Sequence, residues 1–244
     1  MIKITAINFM GESLELSPDK YAIKKVTGLS PQGGTISTQK MARHGTEFNN
    51  STTDERNIVI DLRILGDVEA NRDALYNAFP TSLPVTLVIE TDKKMASIVG
   101  YVETCEVDFF EVITVGQISI ICPDPFFKTE EAAHEAGGTA AEAAIIKSSS
   151  PYETGYKVSV AFTGAASNFF MTNMTTREFL SVIHDFAAGD VLEIDTEERT
   201  VYINGVNAYN SKGGTSWALL SHGENRIACN PAATIRHIDR YIGL

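Results

Sequence analysis

Apolar and polar residues alternate along the chain in one short segment after another, the period of a β-strand with one face buried. Ile58, Ile60, Leu62 and Ile64 share a face over Ile58–Leu65. Further strands are predicted over Ile2–Phe9, Ser13–Leu16 and Tyr21–Val26, then over Leu83–Thr91, Met95–Val107 and Val115–Cys122. One segment breaks the period. Asp67 is a candidate N-cap for a helix through Phe79, with Val68, Leu75 and Phe79 near one face, and Pro80 stops it. After Cys122 the run Pro123-Asp124-Pro125 cannot continue a central strand, so the first domain is expected to close by residue 127.

Two stretches lack the alternation. Thr27–Asn57 is rich in Gly, Ser, Thr and Asn and poor in apolar anchors, which predicts a long functional loop or arm, with a short strand such as Gly34–Gln39 inside it. Its candidate anchors are Met41 and Phe48. Residues 128–150 mix Ala, Glu, Gly and Ser and read as a linker, with a helical turn over Glu130–Ala136 stopped by Gly137-Gly138. Strands resume at Tyr156 and run through Phe169–Asn173 and Glu178–His184. The hairpin Val191–Asp195/Thr200–Asn204 follows, with the Asn204-Gly205 pair as a positive-φ turn after it. In Ala233–Ile242 the apolar parity changes across His237, which a bulge would reconcile. The expected domains are therefore 1–127, a linker 128–150, and 151–244.

Composition narrows the function. A formal charge of −11 without clustered Lys and Arg argues against specific nucleic-acid binding. No apolar run reaches the length of a bilayer span, and a cytoplasmic origin is expected. Cys105, Cys122 and Cys229 have neither metal nor disulfide-framework spacing and read as buried thiols. The five histidines lie in separate segments with no H-E-x-x-H or H-x-H arrangement, and the paired acids fall in turns and linkers, so neither an enzyme, a metal site nor a cofactor is expected. The alternative binding chemistry is carbohydrate, with Trp217 as an aromatic platform and Asn225 and Arg226 as hydrogen-bonding neighbours.

Several local motifs resemble the distal tail proteins of long-tailed phages: Glu55-Arg56, Asn71-Arg72, Gly100-Tyr101-Val102, the run Cys122 to Phe127 (CPDPFF), and the turns Gly189-Asp190, Asn204-Gly205 and Gly223-Glu224-Asn225, more loosely His44-Gly45 and Phe48. The resemblance implies a mainly β protein: an N-terminal β-barrel or sheet belt domain with one helix, followed by a galectin-like β-sandwich. It also implies a structural virion component at the tail tip, made in the host cytoplasm. Its partners would be copies of itself in a homohexameric ring, the tail tube protein, and tail-associated lysin or fibre and receptor-binding proteins. The sugar-binding constellation of galectins is absent, so lectin activity does not follow from that fold.

Overall fold

The computed structural model describes residues 2–31, 33–41, 46–108, 114–214 and 216–244. The chain divides into two compact units, Met1–Lys128 with Ile242–Leu244, and Thr129–Tyr241.

The first unit contains β1 (Lys3–Asn8), β2 (Ser13–Glu15), β3 (Tyr21–Thr27), β4 (Gly34–Lys40), β5 (Thr46–Thr53) and β6 (Arg56–Ile64). Helix α1 (Val68–Ala78) follows, then β7 (Pro84–Glu90), β8 (Met95–Val107), β9 (Val115–Cys122) and β10 (Phe127–Lys128). All but β4 and β5 belong to one sheet, in the order β2-β1-β7-β8-β9-β6-β3, with β10 beside β8. Its pairs are antiparallel, and alternation decides what each face does. Ile4, Leu87, Ile89, Ile98, Ile118, Ile120, Ile58, Ile60 and Leu62 are buried on one side. Helix α1 begins where expected, with the Asp67 carboxylate accepting from Ala70 N at 3.2 Å, and it buries Leu75 and Ala78. On the other side of the sheet Val99 and Tyr101 stand half exposed.

Gly100, between them, faces inward where β8 crosses β9. A Cβ there would lie 2.6 Å from Ile120 Cγ2 and 2.7 Å from Cys122 Sγ. Only glycine lets these strands approach so closely.

The second unit contains β11 (Ala132–Ala136), β12 (Ala144–Ser148), β13 (Tyr156–Ala161), β14 (Ala166–Asn173), β15 (Glu178–Phe186), β16 (Val191–Asp195), β17 (Thr200–Ile203), β18 (Val206–Asn207), β19 (Lys212–Gly213), β20 (Gly223–Asn230) and β21 (Ala233–His237). They form two antiparallel sheets, β11-β21-β13-β16-β17-β18 and β12-β20-β14-β15-β19. One buried cluster, including Val158, Val160, Phe169, Met171, Leu192, Ile194, Ile227 and Ile235, draws on both.

The mainly β composition with a single helix is as expected, but the expected closures are not. The first unit is not a barrel, because its sheet path is open and ends at β2 and β3. The second is not a galectin-like β-sandwich; it consists of two separate open sheets, ending at β11 and β18 and at β12 and β19. Alternation fixes which face of a strand is buried. It carries no information about which strand edges meet.

Three local expectations also change. Residues 128–150 are not a bare connection with a helical turn: β11 pairs with β21 and β12 with β20. The segment 27–57 is largely a hairpin of β4 and β5. No bulge is needed at His237, since β21 ends there with the imidazole inward and Ile238 only partly buried.

Candidate functional site

Glu55-Arg56 and the CPDPFF run are far apart in sequence and form a single structure. Arg56 opens β6 opposite Cys122 of β9, and its side chain is fully buried. Among the described residues no carboxylate forms an ion pair with it. Nε donates to Pro125 O at 2.8 Å and Nη1 to Ser30 O at 2.9 Å, while Gly28 O and Ile242 O accept two further bonds. The guanidinium lies 4.6 Å from the centroid of the buried Phe127 ring. Burial lowers the Arg56 pKa from its ordinary value, yet a guanidinium stays charged, so the four carbonyls are what make its burial tolerable. Gly28, at φ +82, lets the backbone come against Asn57 O where a Cβ would collide. Arg56 thus ties the Gly28–Ser30 segment, the exit run and the returning Ile242–Leu244 to one point.

The β4–β5 hairpin is the opposite case. Its strands pair only with each other, and nearly every residue is exposed. Ile36 is 68% and Phe48 60% exposed. Thr38 stands opposite Phe48, and Ile36 shares the Thr38 face of β4, so the register puts the two large apolar side chains on one face. Met41, at the end of β4, is half-buried. His44-Gly45 lies outside the described residues. Ile36 was missed in sequence; its only signal is the single apolar residue in Gly34-Thr35-Ile36-Ser37-Thr38.

The turn motifs of the second unit are structural. Asp190 accepts from Ala187 N at 2.7 Å and from Asn204 Nδ2 at 2.8 Å, and Asn204 Oδ1 accepts from Val191 N at 2.8 Å. The G-D and N-G turns therefore hold each other. These bonds lower the Asp190 pKa, the Ala187 N–H contributing most.

The three carbohydrate candidates are placed differently from one another. Asn225 is fully buried. Its Oδ1 accepts from Ser221 N and Asn173 Nδ2, and its Nδ2 donates to Ser221 O and Gly223 O, which leaves no amide valence for a sugar. Arg226, next on β20, is exposed on the opposite face. Trp217 packs partly against the core, with Lys212 Nζ 4.8 Å from its ring centroid and the Tyr209 ring at 6.2 Å.

Burial pushes the thiols of Cys105 and Cys122 up to about 11 and that of Cys229 to about 12. Among the described residues no three His, Cys, Asp or Glu side chains gather to hold a metal ion, and no helix is long and apolar enough to cross a membrane. The structure does join two histidines that sequence kept apart, His134 and His237, with ring centroids 5.0 Å apart.

Residues 149–241 match the family described as siphovirus-type tail component, C-terminal domain, and this stretch holds the G-D, N-G and G-E-N turns that carried the resemblance. Among solved structures, the SPP1 Dit (gp 19.1) protein, described as a paradigm of hub adsorption apparatus in phages infecting Gram-positive hosts, has the same fold. The match covers 99% of each chain with a TM-score of 0.72 at 14% identity. A chain of the phage P2 baseplate in its activated conformation with Ca matches over 100% of this chain and 99% of its own, with a TM-score of 0.54 at 10% identity. No curated protein matches the sequence.

Proposed function

We propose that this chain is a structural hub at the tail tip of a long-tailed phage or prophage, a homohexameric ring joining the tail tube to baseplate and host-adsorption proteins. The observation that carries this reading is the fold shared with the SPP1 hub protein over 99% of both chains. Two features of the first unit suit the role. Its open sheet ends in β2 and β3, whose outer backbone groups are not paired within that sheet. Its β4–β5 hairpin is an arm with an exposed apolar pair that pairs with no other strand among the described residues, and an isolated hairpin is marginal in water.

A closed cyclic ring requires two different complementary patches on each protomer. The arm, anchored by Met41 and Phe48, is one. A stable contact needs at least ~1,000 Å² in total, and a chain of formal charge −11 assembles against its own repulsion. Ring formation therefore strengthens with salt, which screens that repulsion. Light scattering and negative-stain imaging of the purified chain, alone and with a tail tube protein, test the reading. A six-fold annulus is expected; a monomer under both conditions refutes the ring.

A further inference from the structure

His134 and His237 lie on adjacent strands at one end of the six-stranded sheet, β11 being the edge and β21 its ladder partner among the described residues. The ladder is short, from Ala132↔His237 to Ala136↔Ala233. His134 stands opposite Ile235, so both imidazoles share the inward face. Their ring centroids are 5.0 Å apart with a 36° tilt. Nε2 of His134 and Nδ1 of His237 are buried and have no hydrogen-bond partner, and His237 is only 8% exposed.

This contact suits two neutral rings and penalises a charged one. A proton added to His237 enters a site where its buried Nδ1 has no acceptor and the nearest ring is a second imidazole. We propose that the His134–His237 contact is an acid-sensitive latch: protonation of His237 at mildly acidic pH releases the edge strand β11 from β21 and opens the β21 edge to pairing with another strand. The proposal does not rest on the ring reading.

The other charged and titratable groups around the pair have settled roles. Asp239, just beyond β21, attracts a proton to His237, but its carboxylate accepts from Ser148 Oγ at 3.2 Å and Ser149 N at 3.1 Å. Tyr156 of β13, opposite His237, donates its hydroxyl to Ala218 O at 2.8 Å. On the solvent side Glu131 faces Arg236 at 3.9 Å, and Glu135 accepts from Thr234 Oγ1 at 2.8 Å. Burial outweighs the Asp239 attraction and holds His237 below its ordinary pKa. With the folded-state pKa depressed, the folded form is favoured above the ordinary histidine range, and stability falls as pH drops through that range.

Hydrogen exchange followed by mass spectrometry at pH 7.5 and 5.5, corrected for intrinsic exchange, tests the latch on the full chain. A several-fold loss of protection is expected over residues 132–136 at pH 5.5, with β16 and β17 unchanged. The His134→Gln variant removes the like-charged neighbour and should reduce the loss; His237→Phe should abolish it. Protection of 132–136 that ignores pH in the wild-type chain overturns the proposal, as does an equal loss across the whole second unit. Because the wild-type profile decides, a variant that fails to fold does not rescue the idea.

Discussion

Two hairpins of this molecule have the same topology and opposite fates. In β16–β17 the inward residues Leu192, Ile194, Val201 and Ile203 are buried, and the strands sit inside a six-stranded sheet. In β4–β5 the residues are nearly all exposed and the hairpin joins no larger sheet. The first is stabilised by its own chain, through apolar area removed from water. The second orders residues without comparable burial, and an isolated pair of strands gains little. On the ring reading proposed above, such a hairpin is the part of the subunit that would be covered by a neighbour, with the exposed Ile36 and Phe48 at that contact.

The sharpest way to break the comparison is to substitute apolar residues in each hairpin. Replacing both Met41 and Phe48 by Ser should abolish or strongly reduce the annulus in negative stain while leaving circular dichroism and the unfolding midpoint of the subunit nearly unchanged. A double variant that assembles like wild type removes the arm from the interface. Ile194→Ala should do the reverse. It leaves a cavity in the second unit's core and costs about 2–5 kcal/mol of stability by denaturant titration. If it cost as little as an exposed substitution, within about 0.5 kcal/mol, β16–β17 would not be a core hairpin.

How much of this was legible depended on whether the determinants were local. Asp67 as helix cap, the Ile58–Ile64 face and the positive-φ turn at Asn204 (φ 51°) were readable because each is set within a few residues. β11 and β12 were not. β11 (Ala-Ala-His-Glu-Ala) has little intrinsic strand preference, and β12 has only the short Ile145-Ile146 pair as a signal; both are held as strands by pairing with β21 and β20, about a hundred residues away in β11's case. That the sheets stay open was unreadable for the same reason, and the turn motifs behind the resemblance could not supply it, since a turn fixes only its neighbours. The site followed this rule as well. CPDPFF was visible as an exit turn, but its role as acceptor for the Arg56 guanidinium and the meeting of His134 with His237 depend on chain segments brought together by the fold.

The smallest expected effect concerns what closes the β16–β17 region. Asn204→Gly keeps the left-handed backbone conformation, because glycine adopts positive φ without strain, and removes only the side chain. The Val191 N–H loses its acceptor and Asp190 loses the Asn204 donor. Loss of these two surface hydrogen bonds should lower Tm by about 2–4 °C. A second signature separates this cause from a general loosening. The bonds to Asp190 depress its folded-state pKa, so its contribution is present above the ordinary carboxylate range and is lost as pH falls through the depressed value. In the variant the Ala187 N–H remains, so the Asp190 pKa measured by NMR should rise part of the way to its ordinary value, and the Tm difference from wild type should narrow in acid. A carboxyl titration unchanged by the substitution would show that the two turns close independently, leaving the hairpin defined by its buried face alone.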